Sequence, residues 1–587
     1  MTKTIFARCL LLCSIFSLIF SACNQNVAPQ NTPQPVASAT PEIATSTTVP
    51  TMTLTATATL TPFPASTPTA TSIPPAAWII PSVPAELRGV VEALNLPAAK
   101  SIESATIALD VAAMVNGLPS SVWLYALVAP FPTVADGVTF DDVRNAWAGN
   151  PPEVFANKPL LMTESTYGTL QTLFGGEAGA GGVRVVAEGL TEALWQDRPE
   201  WGIVPFGGIN PKMKVLEIDG QSPIHKDFDA QKYPLKVAFG LTCAGDCPVT
   251  LPASNRDPQK MATVVMTGVT ALVRATAYKM ELNGVTYPAG GIRNWLTEAD
   301  IAHISNEIPF AVGCPYPNPG QRRLIFCSDP KYIELLDDVG ADVIELTGNH
   351  FEDWGQEATR HTVEMYRARN LPYFGGGADL ADAMKPALLE RNGMKFAFIG
   401  CNPAGPVFAW ARDDGWPGAA PCGPDWSGRD KDKKESGYEW MVAEIQKLKA
   451  EGYIVIATFQ YFEYYSPDPR PWQQVDFRRM ADAGATIVSG SQGHYAQALE
   501  FYNGAFVHYG LGNLFFDQMG YDNPSSGLRT TKTRHEFLDR HVFYDGRLIS
   551  TELLTAMLED YSRPRPMTPE ERAAFLQEYF EASGWGK

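Results

Sequence analysis

Four short segments of the chain carry acidic, amide and imidazole side chains directly after apolar stretches that are typical of strands. These candidate residues are Glu307 after the first stretch, Asn349, His350 and Asp353 after the second, Gln460 and Glu463 after the third, and His494 and Asn513 in the fourth segment. Carboxylate, amide oxygen and imidazole nitrogen are ligands for divalent cations such as Mg, Mn or Zn. A histidine three residues from a carboxylate, as in His350 and Asp353, also suits proton transfer. The segments therefore predict a metal-assisted or acid–base site.

Strands must position these side chains, because runs this apolar are buried on both faces of a layered α/β domain. The runs are ATVVMTG, ADVIELTG, KFAFIGC, YIVIATF, ATIVSGS and AFVHYGL, with helical stretches at 355–370 and 434–452 between them. In such folds the polar residues that follow the strands gather at one edge of the sheet. We therefore predict, after a polar break at 251–260, an α/β domain over 261–560 and a C-terminal helix over 561–587.

A second α/β region, residues 78–250, precedes this domain. The apolar stretch 121–130 predicts a strand, and Thr139 with an acidic residue three positions later predicts a capped helix. The stretches 126–149 and 201–223 resemble periplasmic binding proteins of the phosphate and tungstate type. That resemblance implies an α/β domain, but no ligand-binding residues stand out in it. A degenerate module kept for packing or for partner contact is an equal alternative.

The first 22 residues predict a secretory signal. Lys3 and Arg8 precede an apolar stretch, and the ending Phe-Ser-Ala before Cys23 resembles a bacterial lipobox. In lipobox proteins this cysteine is acylated and becomes the mature N-terminus; an ordinary cleaved signal is the alternative. Residues 23–77, rich in Thr and Pro, predict an extended tether. Together these features predict a membrane-anchored lipoprotein outside the cytoplasm.

The cysteines that follow Cys23 are even in number, which in an exported protein indicates disulfides. The first choice among the possible connectivities pairs neighbours along the chain: Cys243 with Cys247, Cys314 with Cys327, and Cys401 with Cys422. Metal binding by thiolates is the weaker alternative, because no paired Cys-x-x-Cys spacing occurs.

Residues 261–555 resemble the bacterial capsule-synthesis CapA family, also known from poly-γ-glutamate synthesis. Three segments keep the order and spacing of the family's motifs: Asn306-Glu307-Ile308-Pro309, Gly348-Asn349-His350-Phe351-Glu352-Asp353-Trp354-Gly355 and Tyr509-Gly510-Leu511-Gly512-Asn513-Leu514-Phe515-Phe516-Asp517. The resemblance implies a metallophosphoesterase-like layered α/β/β/α sandwich. It also implies a metal site formed by Glu307, Asn349, Glu463 and His494. His350, paired with Asp353, is the implied proton donor.

Three positions depart from the family pattern. Val269 stands where the family has a metal-binding Asp, and Gln460 and Gln492 stand where it has histidines. Valine has no ligand atom, and an amide oxygen is a weak neutral ligand. We therefore expect at most one divalent cation, Mg, Mn or Zn, and none at all is the alternative. The histidines without ligand-type neighbours are predicted to be structural or on the surface: His225, His303, His361, His535 and His541.

Composition restricts the possible partners. Forty-six Lys and Arg against 64 Asp and Glu give a formal charge of -18, which argues against nucleic-acid binding. The resemblance implies a role in capsule, exopolysaccharide or polyglutamate assembly, with the polymer or its assembly machinery as partner. The chain would then be a hydrolase with a weakened metal site or a non-enzymatic binding or scaffold lipoprotein. A transporter-associated receptor that uses the N-terminal half is the least supported hypothesis.

Overall fold

The computed structural model describes residues 74–112, 121–423, 437–491 and 493–586. The predicted signal, the lipidation site Cys23 and nearly all of the tether lie outside these residues, as does Gln492. The described chain falls in one compact unit, Ser72–Lys587. The division into two domains at 251–260 stays a prediction.

The N-terminal part of the described chain is built on a mixed sheet that helices cover. Its strands are β1 (Ala77–Ile79), β2 (Ile107–Val111), β3 (Ser121–Pro130), β4 (Gly137–Val138), β5 (Leu160–Thr163), β6 (Val183–Val186), β7 (Gly202–Pro205), β8 (Met213–Val215), β9 (Glu217–Ile218) and β10 (Lys236–Cys243). Its helices are α1 (Ala85–Glu92), α2 (Phe140–Trp147), α3 (Glu164–Phe174) and α4 (Leu190–Gln196). The strand order is β1-β2-β10-β3-β7-β5-β6, with β8 also paired to β3. Apolar residues of β3 and of all four helices share one core, so the predicted α/β fold is confirmed.

Helix α2 shows how the local sequence sets the bounds of an element. The Thr139 hydroxyl accepts the backbone N–H of Asp142 at 3.2 Å, and the Asp142 carboxylate accepts the backbone N–H of Thr139 at 3.0 Å. These reciprocal bonds satisfy two N–H groups at the helix start. The helix ends at Trp147, whose ring stacks on Phe174 of α3 with 4.5 Å between centroids. The predicted cap is confirmed.

The C-terminal part contains eighteen strands and eight helices among the described residues. The strands are β11 (Met261–Thr267), β12 (Val269–Thr270), β13 (Ile301–Asn306), β14 (Val343–Glu345), β15 (Tyr373–Phe374), β16 (Gly376–Gly377), β17 (Ala387–Arg391), β18 (Met394–Cys401), β19 (Gly418–Ala419), β20 (Ile454–Gln460), β21 (Ile487–Ser491), β22 (Leu499–Tyr502), β23 (Ala505–His508), β24 (Tyr521–Asn523), β25 (Leu528–Thr530), β26 (His535–Tyr544), β27 (Arg547–Glu559) and β28 (Arg563–Pro566). The helices are α5 (Arg274–Asn283), α6 (Arg293–Thr297), α7 (Ile333–Asp338), α8 (Gln356–Ala368), α9 (Leu380–Ala383), α10 (Glu439–Ala450), α11 (Pro471–Ala483) and α12 (Pro569–Ala582).

Two mixed sheets of the C-terminal part face each other. The first has the order β15-β14-β13-β11-β26-β27-β28 with β12 beside β13, and the second has the order β17-β18-β20-β21-β23-β22. Apolar side chains from both sheets, such as Val264 and Phe537 of the first and Phe398 and Ile456 of the second, form the core between them. Helices α5 to α8 pack on the outer face of the first sheet, and α10 and α11 pack on that of the second. The predicted α/β/β/α sandwich is confirmed.

The C-terminal end of the chain differs from the predicted continuous helix over 561–587. Helix α12 begins after Thr568, whose hydroxyl accepts the backbone N–H of Glu571 as an N-cap. Residues Arg563–Pro566 instead form β28 at the edge of the first sheet. Prolines in this segment restrict its backbone to extended conformations, so that the helix starts later.

Three disulfides join neighbouring cysteines in the described chain, Cys243–Cys247, Cys314–Cys327 and Cys401–Cys422. The predicted pairing is confirmed. The third bond ties the end of β18 to the segment after β19. Each bond closes a short loop and so restricts the unfolded chain, which stabilises the folded state.

Candidate active site

The carboxyl ends of four strands, two from each sheet, meet at one edge of the sandwich. Glu307 directly follows β13, Asn349 lies in the turn after β14, and Gln460 and Ser491 are the last residues of β20 and β21. Gln460 Nε2 lies 3.1 Å from Glu307 Oε1 and 3.1 Å from Asn349 Oδ1. Ser491 Oγ lies 3.2 Å from Glu345 Oε1 at the end of β14. Predicted residues from three separate segments, Glu307, Asn349 and Gln460, therefore lie together, since parallel strands end at the same edge.

The Gln460 amide bridges the two sheets at a position where the family resemblance implies a histidine. Its Nε2 donates to both Glu307 and Asn349, while its Oε1 accepts the hydroxyl of Ser491 at 3.1 Å. These bonds use both amide hydrogens and fix which amide atom faces Glu307. The Gln460 N–H groups thus occupy lone pairs of Glu307 and Asn349. A cation bound by both residues would need those lone pairs.

A buried acidic residue, Glu345, lies beneath this bridge. Its Oε1 accepts the Thr347 hydroxyl at 2.6 Å and lies 3.2 Å from Ser491 Oγ, and its Oε2 lies 3.1 Å from His303 Nε2. Burial raises the pKa of Glu345, but the contact with His303 and the hydroxyl bonds outweigh burial, so the pKa is lowered. Glu345 is absent from the predicted site because it is the last residue of strand β14, whereas the predicted residues follow the strands. An acidic residue within an apolar run was the signal that could have found it.

His350 and Asp353, the predicted proton-transfer pair, are in contact in the turn after β14. Asp353 Oδ2 lies 2.7 Å from His350 Nδ1 and accepts the backbone N–H of Phe326 at 2.9 Å. Burial lowers the pKa of His350, but the bond to Asp353 and the negative charge of Glu307 outweigh burial, so the pKa is raised. A raised pKa favours the protonated imidazole near neutral pH, which suits a proton donor.

His494 and Glu463, two of the predicted metal ligands, form a second contact at the cleft. His494 Nδ1 lies 2.8 Å from Asn513 Oδ1, and its Nε2 lies 3.4 Å from Glu463 Oε1. The imidazole stacks on Phe516 with 4.7 Å between ring centroids. His494 adopts a φ of +44°, a left-handed conformation that costs about 1 kcal/mol or more and that clusters at functional sites. Asn513 is held by a bond to the Thr533 carbonyl at 2.9 Å.

Arg274, which the sequence predictions do not include, joins the two histidine clusters. Its guanidinium pairs with Asp517, whose other oxygen accepts the backbone N–H of Ala275 at 2.9 Å. The guanidinium carbon lies 5.1 Å from the Phe326 ring centroid and 5.2 Å from that of Phe516. Each of these rings contacts one of the two site histidines. Arg274 therefore places a permanent positive charge between the clusters.

The predicted metal ligands do not gather in one cluster in the structure. The predicted ligands fall into two separate contacts, Glu307 with Asn349 through Gln460, and Glu463 with His494. Across the described part of the chain, no group of three or more His, Cys, Asp or Glu side chains is arranged to hold a metal ion. A two-metal centre needs ligands that clamp both cations a few ångströms apart. Binding of a single cation stays a prediction.

Val269 lies at the position where the family resemblance implies a metal-binding Asp. The residue is fully buried on β12 and contributes only its backbone to the site edge. Its N–H donates to the Gly512 carbonyl at 3.1 Å, and its carbonyl accepts the Leu514 N–H at 2.8 Å. These bonds hold the segment that carries Asn513 beside the strand, while the isopropyl group supplies no ligand.

The fold and the polar residues at the strand ends indicate which structural class the C-terminal part represents. A layered α/β/β/α sandwich with its polar residues at the carboxyl ends of the strands is metallophosphoesterase-like. Residues 260–518 match the model of the family described as bacterial capsule synthesis protein PGA_cap. This part of the chain is similar to that family.

Two relatives and one solved structure show the range of similarity. The chain is 30% identical over 188 residues to the PGA biosynthesis protein CapA of Bacillus subtilis strain 168, covering 32% of this chain and 45% of that relative. It is 23% identical to the capsule biosynthesis protein CapA of Bacillus anthracis, covering 54% of this chain and 72% of the relative. It is 12% identical to an ABC-type phosphate transport receptor from Vibrio cholerae, covering 25% of this chain and 70% of that one, with a TM-score of 0.21. That score is too low to support an argument.

In the part of the chain that the structure describes, no helix has the length and apolar character needed to span a bilayer.

Proposed function

We propose that this chain takes part in the assembly of a cell-envelope polymer, either a capsular or other extracellular polysaccharide or poly-γ-glutamate. The match of residues 260–518 to the capsule synthesis family supports this function. The relatives named for PGA biosynthesis and capsule biosynthesis support it further. The polymer or its assembly machinery is the proposed partner.

Within this function, the cleft works without a two-metal centre. The observation that carries this proposal is the Gln460 amide, which donates to Glu307 and to Asn349 at 3.1 Å each. The cationic groups at this edge have acidic partners: Arg274 pairs with Asp517, and His350, whose pKa is raised, pairs with Asp353. The His350–Asp353 pair suits the donation of one proton.

The test is the metal content of the purified full-length protein. We expect no divalent cation, or one that is lost on dialysis, and slow or no hydrolysis of bis(p-nitrophenyl) phosphate. His350→Ala should remove whatever hydrolysis is present, because the proton donor is lost. Mass spectrometry of bound metals and a steady-state assay make the two measurements. Two tightly bound cations per chain with rapid hydrolysis would overturn the proposal.

The alternative function is a non-enzymatic binding or scaffold lipoprotein on a decayed catalytic fold. Burial of Val269 at the position implied for a metal-binding Asp favours this alternative. The two functions differ in their response to His350→Ala in the producing cell. Polymer output falls if the cleft performs a proton transfer, and it is unchanged if the chain only binds or positions its partners.

We further propose that Cys23 is acylated and anchors the protein outside the cytoplasm. Cys23→Ala is expected to release the protein from the membrane fraction, because several acyl chains together bury enough methylene groups for stable anchoring. Fractionation and the mass of the N-terminal peptide make the measurement. A Ser21→Ala variant serves as a control that keeps the cysteine. Retention of Cys23→Ala in membranes would contradict the anchor.

A further inference from the structure

A cavity of about 260 Å³ lies between the N-terminal sheet and the C-terminal sandwich. Its lining comes from β8, β9 and the segment after β3 on one side, and from β26, β27 and α12 on the other. None of its lining residues belongs to the cleft described above. The volume is just below that of ordinary ligand pockets, about 300–1000 Å³, so an occupant would be a small molecule.

One wall of the cavity is a closed ion cluster. Lys214 Nζ and Arg572 Nη2 lie 2.7 Å and 2.8 Å from the same oxygen of Asp136. Lys214 also donates to the carbonyls of Thr133 at 2.9 Å and Val134 at 3.1 Å, which uses all three of its hydrogens. This cluster therefore joins the two sides of the cavity and has little left to offer a ligand.

The opposite wall holds an arginine whose donors are mostly unused. Glu552 Oε1 lies 2.8 Å from His225 Nε2, and its Oε2 accepts Arg540 Nε at 2.8 Å. Within the described residues no hydrogen bond from the Nη1 or Nη2 groups of Arg540 is formed. A planar guanidinium with a free edge matches a carboxylate or phosphate in a bidentate contact.

Two buried hydroxyls lie in the same lining. Ser222 is 2% exposed and Ser550 is 1% exposed, and neither Oγ has a hydrogen-bond partner in the described chain. Arg540 is the cross-strand partner of Glu552, and Ser550 lies two residues before Glu552 on β27. Residues two apart on a strand share a face, so Ser550 and Arg540 point to the same side. Each hydroxyl therefore has a hydrogen that it can donate to an acceptor placed in the cavity.

Charge and polarity define the occupant. Lys214, Arg540 and Arg572 face the carboxylates of Asp136, Glu217 and Glu552, so the basic and acidic side chains of the lining are equal in number. The Nη1 and Nη2 groups of Arg540 are nevertheless not bonded to any of these carboxylates. The apolar part of the lining is formed by Phe131, Val215, Leu553, Met567, Leu576 and Phe580. An inorganic ion would leave that apolar wall without a partner.

We propose that this cavity binds a small organic monocarboxylate. Its carboxylate accepts hydrogen bonds from Arg540 and from the hydroxyls of Ser222 and Ser550, and its apolar body packs against apolar side chains of the lining. Because the lining comes from both parts of the chain, such a ligand stabilises their contact.

The experiment titrates the full-length protein with benzoate and hexanoate, with benzamide as the neutral match of benzoate and with inorganic phosphate as a second control. Calorimetry and thermal unfolding are recorded at concentrations up to about 10 mM, at which a ligand of millimolar Kd still occupies most sites. We expect saturable binding of at least one carboxylate and a rise in Tm, since a ligand that binds only the folded state stabilises it. Neither benzamide nor phosphate should saturate.

Ser222→Ala with Ser550→Ala is the decisive variant. Neither hydroxyl has a partner in the described chain, so the double variant should unfold at the same temperature as the parent without ligand. Its carboxylate Kd should rise about tenfold or more, because hydrogen bonds to a charged group are lost. Arg540→Gln should abolish binding, whereas Arg529→Gln, at an exposed ion pair, should not change it. Absence of saturable carboxylate binding, equal binding of benzamide or phosphate, or an unchanged Kd in the serine variant would each overturn the proposal.

Discussion

A variant that combines Val269→Asp, Gln460→His and Gln492→His is expected to bind about two divalent cations per chain and to gain phosphodiesterase activity. Asp supplies an anionic ligand where Val269 is buried without ligand atoms. A histidine at 460 removes the N–H donor that faces Glu307 and Asn349. Imidazole and carboxylate then replace groups that bind cations weakly or not at all. Metal analysis after gel filtration and the rate of bis(p-nitrophenyl) phosphate hydrolysis make the measurement.

Stability provides an independent measurement on the same variant. Without metal, the new Asp at 269 is a buried and unpaired carboxylate, which costs several kcal/mol. Adding Mn²⁺ or Zn²⁺ should therefore raise the Tm of the triple variant strongly, and a chelator should lower it again. The single variant Val269→Asp is the control and should be destabilised with or without metal. A triple variant that neither binds metal nor responds to it would contradict the assignment of these positions.

The positions of the site residues follow from the order of the strands. Glu307, Asn349, His350 and Gln460 each come after an apolar run, and parallel strands bring such positions to one edge. The layered fold follows from the same runs, because strands this apolar must be covered on both faces. The disulfides follow from the even number of cysteines and their closeness in sequence.

The contacts inside the site could not be predicted, because they depend on side chains far apart in sequence. Nothing in the spacing of Gln460 indicates that its amide lies between Glu307 and Asn349. Arg274 lies between two phenylalanine rings from distant segments, and its role follows only from packing. Glu345 is placed by a strand whose other residues are apolar, so the run as a whole predicted only core. Local sequence patterns determine where helices and strands begin and end, whereas tertiary packing determines which side chains contact each other.

Glu345→Ala is expected to lower the free energy of unfolding by about 1–3 kcal/mol, because buried donors that face its carboxylate lose their acceptor. The carboxylate is 1% exposed and accepts the Thr347 hydroxyl at 2.6 Å, with Ser491 Oγ at 3.2 Å and His303 Nε2 at 3.1 Å. Glu345→Gln keeps the shape and separates the loss of charge from the loss of volume. Urea unfolding at neutral pH makes the measurement. Asp522→Ala is the control, because its ion pair with Arg529 is exposed and worth about 0–1 kcal/mol.

The pH dependence of the same variants tests the charge of Glu345 directly. Its pKa in the folded protein is lowered from the ordinary value of 4.5, since the contacts with His303 and the hydroxyls outweigh burial. A lowered folded-state pKa contributes stability that is fully present above the unfolded pKa and is lost as the pH falls through the folded one. The difference in unfolding free energy between the parent and Glu345→Gln should therefore be constant from neutral pH down to the unfolded pKa and shrink below it. Two results would show that Glu345 does not hold the two sheets together beneath the Gln460 bridge. One is a difference in unfolding free energy between the parent and Glu345→Gln that stays constant well below the ordinary pKa of a glutamate. The other is a loss of unfolding free energy under about 1 kcal/mol in Glu345→Ala.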